Sequence, residues 1–285
     1  MNKFKRVNIL APAKINLYLY VLHRRSDGYH EIVSLMVPVS LFDLISISQK
    51  QRGIEVSCDG NFKVPEGEEN IAFRAADLFF QHYSLSGGVK IEIDKNIPVS
   101  SGLGGGSSDA AAVLKGLSLL FLGEMRAGDL MGLAPEIGSD VPFFIFPGPS
   151  VVAGRGEKVK KIRFGKRFHV LIVKPDVSVS TKAAYRMLDR GGEPVVFDCP
   201  QPDMINSLGD LEGFLRNDFE DVIFQRYPEL GVVKERLLAL GAGAALLSGS
   251  GSSVFGLYER KEDGERAQKD FDGNEGFFSK LVSNF

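Results

Sequence analysis

The chain has 285 residues, enough for one large or two ordinary domains with a substantial apolar core, which excludes a small stapled or metal-dependent scaffold. Hydrophobic residues at 44% and charged residues at 25% describe an ordinary globular composition, neither collagen-like nor disordered. The formal net charge is −2, with 15 basic against 16 acidic residues up to Arg155 and 19 against 20 after it, so neither half carries the excess of a general nucleic-acid binder.

The two cysteines, Cys58 and Cys199, have no second Cys or His at metal-ligand spacing, which argues against a zinc site and for a reducing compartment. No apolar run reaches the ~20 residues needed to span a bilayer, and Met1 to Arg6 leads into strand-like sequence without a signal-peptide core. The expected location is cytoplasmic.

In chain order, period-two alternation predicts short strands at Ile15-Leu17-Leu19-Val21, Ile32 to Val39, Leu44 to Ile47 and Val89-Ile91-Ile93. One helix interrupts them: Ile71, Ala75, Leu78 and Phe79 fall at helical spacing after Asn70, a natural N-cap. After Asn96-Ile97-Pro98 a glycine-dense run, Gly102-Leu103-Gly104-Gly105-Gly106-Ser107-Ser108, is expected as a loop feeding a helix that starts at Asp109-Ala110-Ala111-Ala112. The Gly-, Lys- and Arg-rich stretch from Ala153 to Arg167 reads as a domain crossing, which gives domains of 1–155 and 156–285. Its basic cluster, Lys158 to Arg167, reads as a solvated edge strand or linker rather than a phosphate-binding patch. Beyond it come a strand (Phe168 to Lys174), a helix (Thr181 to Leu188), helices near Asp218 and over Val232 to Leu240, then strand, glycine turn, strand, helix and a last strand near Phe277. That order predicts a small α+β sandwich.

Four features carry chemistry. The run Gly102 to Ser108 lets backbone N–H groups turn inward without Cβ interference, and the helix behind it adds its partial positive charge, a combination suited to phosphate. It is no Walker A loop, because it lacks a closing Gly-Lys-Ser/Thr, and Ser107 stands where a dinucleotide fingerprint needs its third glycine. The second feature, Leu247-Ser248-Gly249-Ser250-Gly251-Ser252-Ser253, lies between two strand-like segments and reads equally as a hairpin turn or a ligand loop. In the third, Ala11-Pro12-Ala13-Lys14-Ile15-Asn16-Leu17, alternation puts Lys14 and Asn16 on one face, although a strand lysine is commonly an exposed edge residue. The fourth is Asp140, ahead of the apolar Val141-Pro142-Phe143-Phe144, where a turn or cap carboxylate is the plainer reading. Together they supply the parts of phosphoryl transfer: a phosphate cradle, a cation and a carboxylate for the accepting hydroxyl.

Pro98-x-x-x-Gly102-Leu103, running into Ser107-Ser108 and an alanine-rich helix, resembles the phosphate loop of the GHMP kinases, the family of galactokinase, homoserine kinase, mevalonate kinase and phosphomevalonate kinase. The segments Ala11 to Leu17 and Leu247 to Phe255 resemble the family's first and third motifs, in the right order over nearly the whole chain. The expanded loop Gly102 to Asp109 and the segment Arg25-Ser26-Asp27-Gly28-Tyr29-His30 resemble the branch whose acceptor is a CDP-linked sugar alcohol of the non-mevalonate isoprenoid precursor pathway, phosphorylated on its 2-hydroxyl.

The resemblance implies a two-domain α+β fold, with an N-terminal mixed α/β domain, a C-terminal ferredoxin-like α+β sandwich and the active site in the cleft between them. It implies ATP with magnesium, whose protein ligands the sequence leaves open, Ser107, Ser108 and Asp109 being candidates. Asp140 becomes the catalytic base and Lys14 its partner, with Asn16 beside the methylerythritol moiety. Tyr29 and His30 match the cytosine-binding pair, and Tyr185 falls where the family keeps an aromatic ring against the base. Pro98, Gly102, Leu103, Gly104, Gly105, Gly106, Ser107 and Ser108 would hold the ATP phosphates. Asn217-Asp218-Phe219-Glu220 also fits the branch, without an assigned role. No nucleic acid, membrane or obligate protein partner is expected. There are two rivals: a family kinase acting on homoserine or a mevalonate derivative, whose substrates give Tyr29 and His30 no base to read, and an RNA-binding or ribosome-associated protein, which the near-neutral halves oppose.

Overall fold

A computed structural model describes residues 5–188, 204–272 and 276–285. Cys199 lies outside the described residues, and so does most of the polar stretch before the helices near Asp218. The chain packs as two compact units, one of 1–13, 41–99 and 104–147, the other of 14–40, 100–103 and 148–285. Two long strands, β1 (Arg6–Arg24) and β2 (His30–Lys50), contribute a segment to each unit, so the units are not separated by a single cut. The short runs expected over residues 15–21, 32–39 and 44–47 are therefore parts of two longer continuous strands, in which the polar residues Asn16 and Ser34 are buried and hydrogen-bonded to each other.

In the first unit β2 pairs antiparallel with β4 (Gly88–Lys95), and β3 (Gly53–Gly60) pairs parallel with β4. Helix α1 (Ile71–His82) starts where expected, with the Asn70 side chain accepting from the Ala72 N–H at 2.9 Å. Helix α2 (Gly105–Leu117) packs against α1, and Gly116 lets it approach the sheet so closely that a Cβ there would collide with Ile47. A single π-turn (Ser118–Leu122), α3 (Ala127–Ile137) and the short α4 (Val141–Ile145) complete the unit, with α4 packed on α2 and α3. Its core joins Ile45, Ile47, Ile91 and Ile93 of the sheet to Phe79, Val113, Leu117, Phe143 and Phe144 of the helices.

In the second unit β2 pairs antiparallel with β5 (Ser150–Gly154), which pairs with β6 (Lys158–Lys161). Strand β6 has β5 as its one partner among the described residues, so the basic cluster does begin on an edge. After β7 (Arg163–Phe164) come β8 (His169–Pro175), α5 (Thr181–Leu188), β9 (Met204–Ile205, parallel to β7) and β10 (Arg216–Asn217), which lies parallel to β1. The chain continues through α6 (Glu220–Arg226), α7 (Pro228–Ala239), β11 (Ala244–Leu247), β12 (Val254–Tyr258), α8 (Lys261–Asp272) and β13 (Phe277–Ser283). The four strands β11-β12-β8-β13 form one fully antiparallel sheet, with α7 and α8 packed on it. Taken in chain order as strand, helices, strand, strand, helix, strand, this is the split βαβ pattern of a ferredoxin-like sandwich.

Candidate active site

The glycine run is shorter as a loop than its composition predicts. Positive φ recurs at every second residue, Ser100 (+50°), Gly102 (+75°) and Gly104 (+71°), and α2 then begins at Gly105, four residues before the expected start. Left-handed residues of this kind turn successive backbone amides inward, and Gly104 caps α2 without a side chain. The first-turn amides of Gly105, Gly106 and Ser107 therefore meet the positive end of the helix dipole. The Ser108 N–H closes the first turn on the Gly104 carbonyl at 2.9 Å. Glycine at helical positions obscured this start, because it is a poor helix former in isolation.

The three glycines differ in what surrounds them. Gly104 is the left-handed one, and Gly106 is exposed, with nothing nearer to an added Cβ than Ile71 at 3.6 Å. A Cβ on Gly105 would instead press on Ile97 and on the Lys95 ammonium, each at 3.0 Å. Gly105 thus serves the packing of α2 on the end of β4, whereas the expectation had all three glycines clearing the way for a ligand.

Beneath that helix start lies a charge cluster that sequence reasoning missed. Lys95 is buried between the carboxylates of Asp43, on β2, and Asp109, on α2, with Lys95 Nζ 2.7 Å from Asp109 Oδ2. The second oxygen of Asp43 accepts the N–H groups of Asn96 and Ile97 at 2.6 and 2.8 Å. Burial lowers the affinity of Lys95 for its proton, but Asp109 and Asp43 outweigh it and leave the ammonium pKa raised. Burial pushes the Asp109 carboxyl well above the usual carboxylate range, against the pull of Lys95. The cluster ties β2, the end of β4 and α2 together just under the start of α2.

Asp140 immediately precedes α4, with helical backbone angles, and this turn lies alongside the start of α2. An added Cβ on Gly138 would sit 3.9 Å from Ser107 Oγ, and Lys115 of α2 donates to the Phe144 carbonyl of α4 at 3.1 Å. Burial lowers the Lys115 ammonium pKa to about 8. Within the first unit, Asp140 is thereby held in fixed relation to the start of α2.

In the second unit Lys14 and Asn16 share a face, as alternation predicts, and both are buried, which overturns the exposed-edge reading of Lys14. Lys14 Nζ donates to Asn16 Oδ1 at 2.6 Å and to the Gly102 carbonyl at 2.7 Å, while the Asn16 amide donates to Ser34 Oγ at 2.7 Å. Ser248 Oγ donates to the same Gly102 carbonyl at 3.1 Å. Of the two readings of the second glycine-serine run, the hairpin turn is the one the fold displays. It is the hairpin between β11 and β12, and it presses on the first loop, because a Cβ on Gly102 would fall on the Ser248 carbonyl. Pro98 is buried, and so is Leu103, whose carbonyl accepts the Lys14 N–H at 2.9 Å.

The turn between β1 and β2 is built by Arg25, which donates to Glu31 at 2.7 Å and reaches Asp27 at 3.1 Å, and by Gly28 at φ +86°. It presents Tyr29, half-exposed under the Arg155 guanidinium at 5.1 Å, and His30. The His30 ring stacks on Tyr185 of α5, with centroids 4.9 Å apart and planes 18° apart, and Tyr185 meets Phe219 edge-on at 4.9 Å. Burial, then the nearby Arg24 and His23, lower the His30 pKa and so favour its neutral ring.

A family model for the N-terminal domain of GHMP kinases matches residues 70–148, and one for their C-terminal domain matches residues 203–275. The chain is 39% identical over 262 residues to the 4-diphosphocytidyl-2-C-methyl-D-erythritol kinase of Syntrophus aciditrophicus, covering 92% of this chain and 93% of that one. It is 42% identical over 272 residues to the kinase of the same name from Syntrophotalea carbinolica, covering 95% and 96%. The chain belongs to the GHMP kinase family. A solved structure of a 4-(cytidine 5'-diphospho)-2C-methyl-D-erythritol kinase superposes with a TM-score of 0.76 at 34% identity, covering 97% of this chain and 99% of that one.

As a GHMP kinase it is a small-molecule kinase with ATP as co-substrate. No helix among the described residues is long and apolar enough to cross a membrane. The described residues hold no group of three His, Cys, Asp or Glu placed to bind a metal ion. Of the three candidate magnesium ligands, Asp109 is engaged with Lys95 through Oδ2, while its Oδ1 and Ser108 Oγ, at the start of α2, are both buried without a hydrogen-bond partner among the described residues. A cation bound mostly by phosphate oxygens needs little more from the protein than such a hydroxyl, so Ser108 and its neighbour Ser107 fit it.

Proposed function

We propose that this kinase transfers the γ-phosphoryl group of ATP to the 2-hydroxyl of 4-diphosphocytidyl-2-C-methyl-D-erythritol, in the non-mevalonate route to isoprenoid precursors and in the cytoplasm. What carries the reading is the 42% identity to a kinase of that name along 95% of the chain. The site adds chemical support. The amides of Gly104 to Ser108, with Pro98, Gly102 and Leu103 behind them, would cradle the phosphates, and Asp140, standing next to that loop in the first unit, would accept or orient the acceptor proton. Lys14, fixed by Asn16 and the Gly102 carbonyl, would stabilise the charge that develops at the reacting oxygen, with Asn16 against the methylerythritol. Ser107 and Ser108 would hold magnesium jointly with the phosphate oxygens, where the ion supplies neutralisation of phosphate charge. Tyr29 and His30 would read the cytosine edge, with Tyr185 as the stacking ring. Since His30 already covers one face of Tyr185, a base stacking on that face would displace His30. The assignment of 1–155 and 156–285 as the two domains belongs to the same reading, with the family models falling on either side of residue 156.

The test is Asp140→Asn. It should lower kcat by roughly 10²–10⁴, the usual worth of general-base assistance, and leave the KM for ATP almost unchanged. Because phosphoryl transfer has a loose transition state in which positioning outweighs proton removal, the lower end is expected. Near-normal turnover would remove Asp140 from the chemistry.

A further inference from the structure

Asn217-Asp218-Phe219-Glu220 has no part in the assignments above, yet its side chains reach the elements that carry the second unit's share of the site. Asn217 is buried beside β1, and its carboxamide nitrogen donates to two carbonyls, Leu247 at 2.8 Å and Gly249 at 2.7 Å, while its oxygen accepts the Phe219 N–H at 3.0 Å. Glu220 accepts the Leu247 N–H at 2.8 Å and pairs with Lys234, so the Leu247 residue is gripped at both its N–H and its carbonyl. Asp218, also buried, accepts the Val21 N–H at 3.0 Å, and its own N–H donates to the Leu19 carbonyl at 3.0 Å, which anchors the segment to the strand that bears Lys14 and Asn16. The gripped loop is the one that touches Lys14. A Cβ on Gly249 would lie 3.2 Å from Lys14 Nζ and 3.1 Å from the Gly102 carbonyl, and Ser248 shares that carbonyl with Lys14. Phe219, fully buried, meets Tyr185 edge-on, and Tyr185 carries His30.

We infer that Asn217 and Phe219 are positioning residues with separate targets: Asn217 holds the 247–249 backbone that fixes Lys14 and the Gly102 carbonyl, and Phe219 braces the Tyr185–His30 stack. The inference rests on the reading of Lys14 as the cation of phosphoryl transfer and of the stack as the base pocket. Replacing the carboxamide by a carboxylate in Asn217→Asp turns two donated bonds into contacts between acceptors, which releases the loop. Phe219→Leu keeps the apolar volume and removes the aromatic edge.

The experiment measures kcat and the acceptor KM for Asn217→Asp, Asn217→Ser, Phe219→Leu and Lys14→Ala, together with amide hydrogen exchange of each folded variant. Both Asn217 variants should lower kcat by roughly tenfold or more with the acceptor KM within about threefold of wild type, and exchange should quicken at 247–253 and not in α7 or α8. Phe219→Leu should raise the acceptor KM by roughly three- to tenfold and leave kcat within about twofold. If the isosteric Asp variant does not fold, Asn217→Ser, which keeps one hydroxyl donor, is read in its place. A merely structural role would shift both kinetic constants alike in the Asn217 and Phe219 variants, or leave kcat unchanged in both Asn217 variants, and either result overturns the proposal. Lys14→Ala separates this failure from that of the underlying reading: if it turns over normally the role of Lys14 itself is wrong, whereas an impaired Lys14→Ala beside normal Asn217 variants overturns only the positioning claim.

Discussion

The two glycine-serine loops of this kinase look alike in sequence and do different work. Around Gly102 to Ser108 the chain alternates left-handed residues and then enters α2, so its amides end at a helix N-terminus that no side chain caps. Around Ser248 to Ser253 it turns between two antiparallel strands, and its flanking carbonyls are held by the Asn217 carboxamide. The element that the glycines lead into, an alanine-rich helix or a β-strand, decides whether backbone donors are offered or backbone acceptors are tied down. The loops also meet: Gly102 fits only because it has no side chain to strike the Ser248 carbonyl.

That meeting point gives the largest expected effect. Gly102→Ala combines a left-handed φ with a Cβ on the opposing backbone, which together cost roughly 2–5 kcal/mol. It also displaces the carbonyl that receives Lys14. Thermal unfolding should fall by several degrees and kcat should drop in the same protein; a variant of unchanged Tm and activity would show that the loops are not in contact.

Gly105→Val and Gly106→Ala sharpen the description of the first loop. A side chain on Gly105 presses on Ile97 and the Lys95–Asp109 cluster, so Gly105→Val should lower the melting temperature and raise the KM for ATP by about tenfold or more, with the acceptor KM little changed. Gly106→Ala makes only an ordinary contact with Ile71 and gains helix propensity, about 0.5–1 kcal/mol, so its melting temperature should hold or rise slightly while ATP binding weakens a few-fold. Equal effects on stability at the two positions would mean that Gly105 does not face the charge cluster.

The smallest effect lies outside both loops and serves as their control. The His30 pKa is depressed below its ordinary 6.5, so the unfolded chain binds this proton more readily than the folded one. Stability from neutral His30 is present above that pH and is lost as pH falls through 6.5. The stability advantage of wild type over His30→Asn should therefore narrow between about pH 7.5 and 5.5, read as the difference of two melting temperatures. A difference independent of pH would contradict the depressed pKa. None of the three loop variants should alter this pH dependence.

Much of this was legible in the sequence. Alternation put Lys14 and Asn16 on one face, Asn70 was recognisable as a cap, and the three glycine- and lysine-bearing motifs stood in family order. The same alternation also placed Lys95 with Val89, Ile91 and Ile93, and Asp43 with Leu41, Ile45 and Ile47, on buried faces, so the charge cluster was within reach of the pattern that found the strands. What marks it is a charged residue in register with an apolar row, which demands a buried partner. The Asn217 contacts were not legible, because their partners are backbone carbonyls some thirty residues away whose positions depend on the fold, and carbonyls carry no sequence signal. The extent of β2 was hidden for a related reason: a buried charge, Asp43, breaks the apolar pattern between Val39 and Leu44 without ending the strand.

The most direct measurement supplies the protein with ATP, magnesium and, one at a time, 4-diphosphocytidyl-2-C-methyl-D-erythritol, its UDP-linked analogue, free methylerythritol, homoserine and mevalonate, and tracks product by ³¹P NMR. The CDP-linked acceptor should give a new phosphomonoester on its 2-hydroxyl with the highest kcat/KM. The UDP-linked analogue should be disfavoured because uracil presents a carbonyl where cytosine presents an amino donor, and His30→Ala should narrow that gap. Equal use of both nucleotide-linked acceptors, or efficient phosphorylation of methylerythritol, homoserine or mevalonate, would contradict the account.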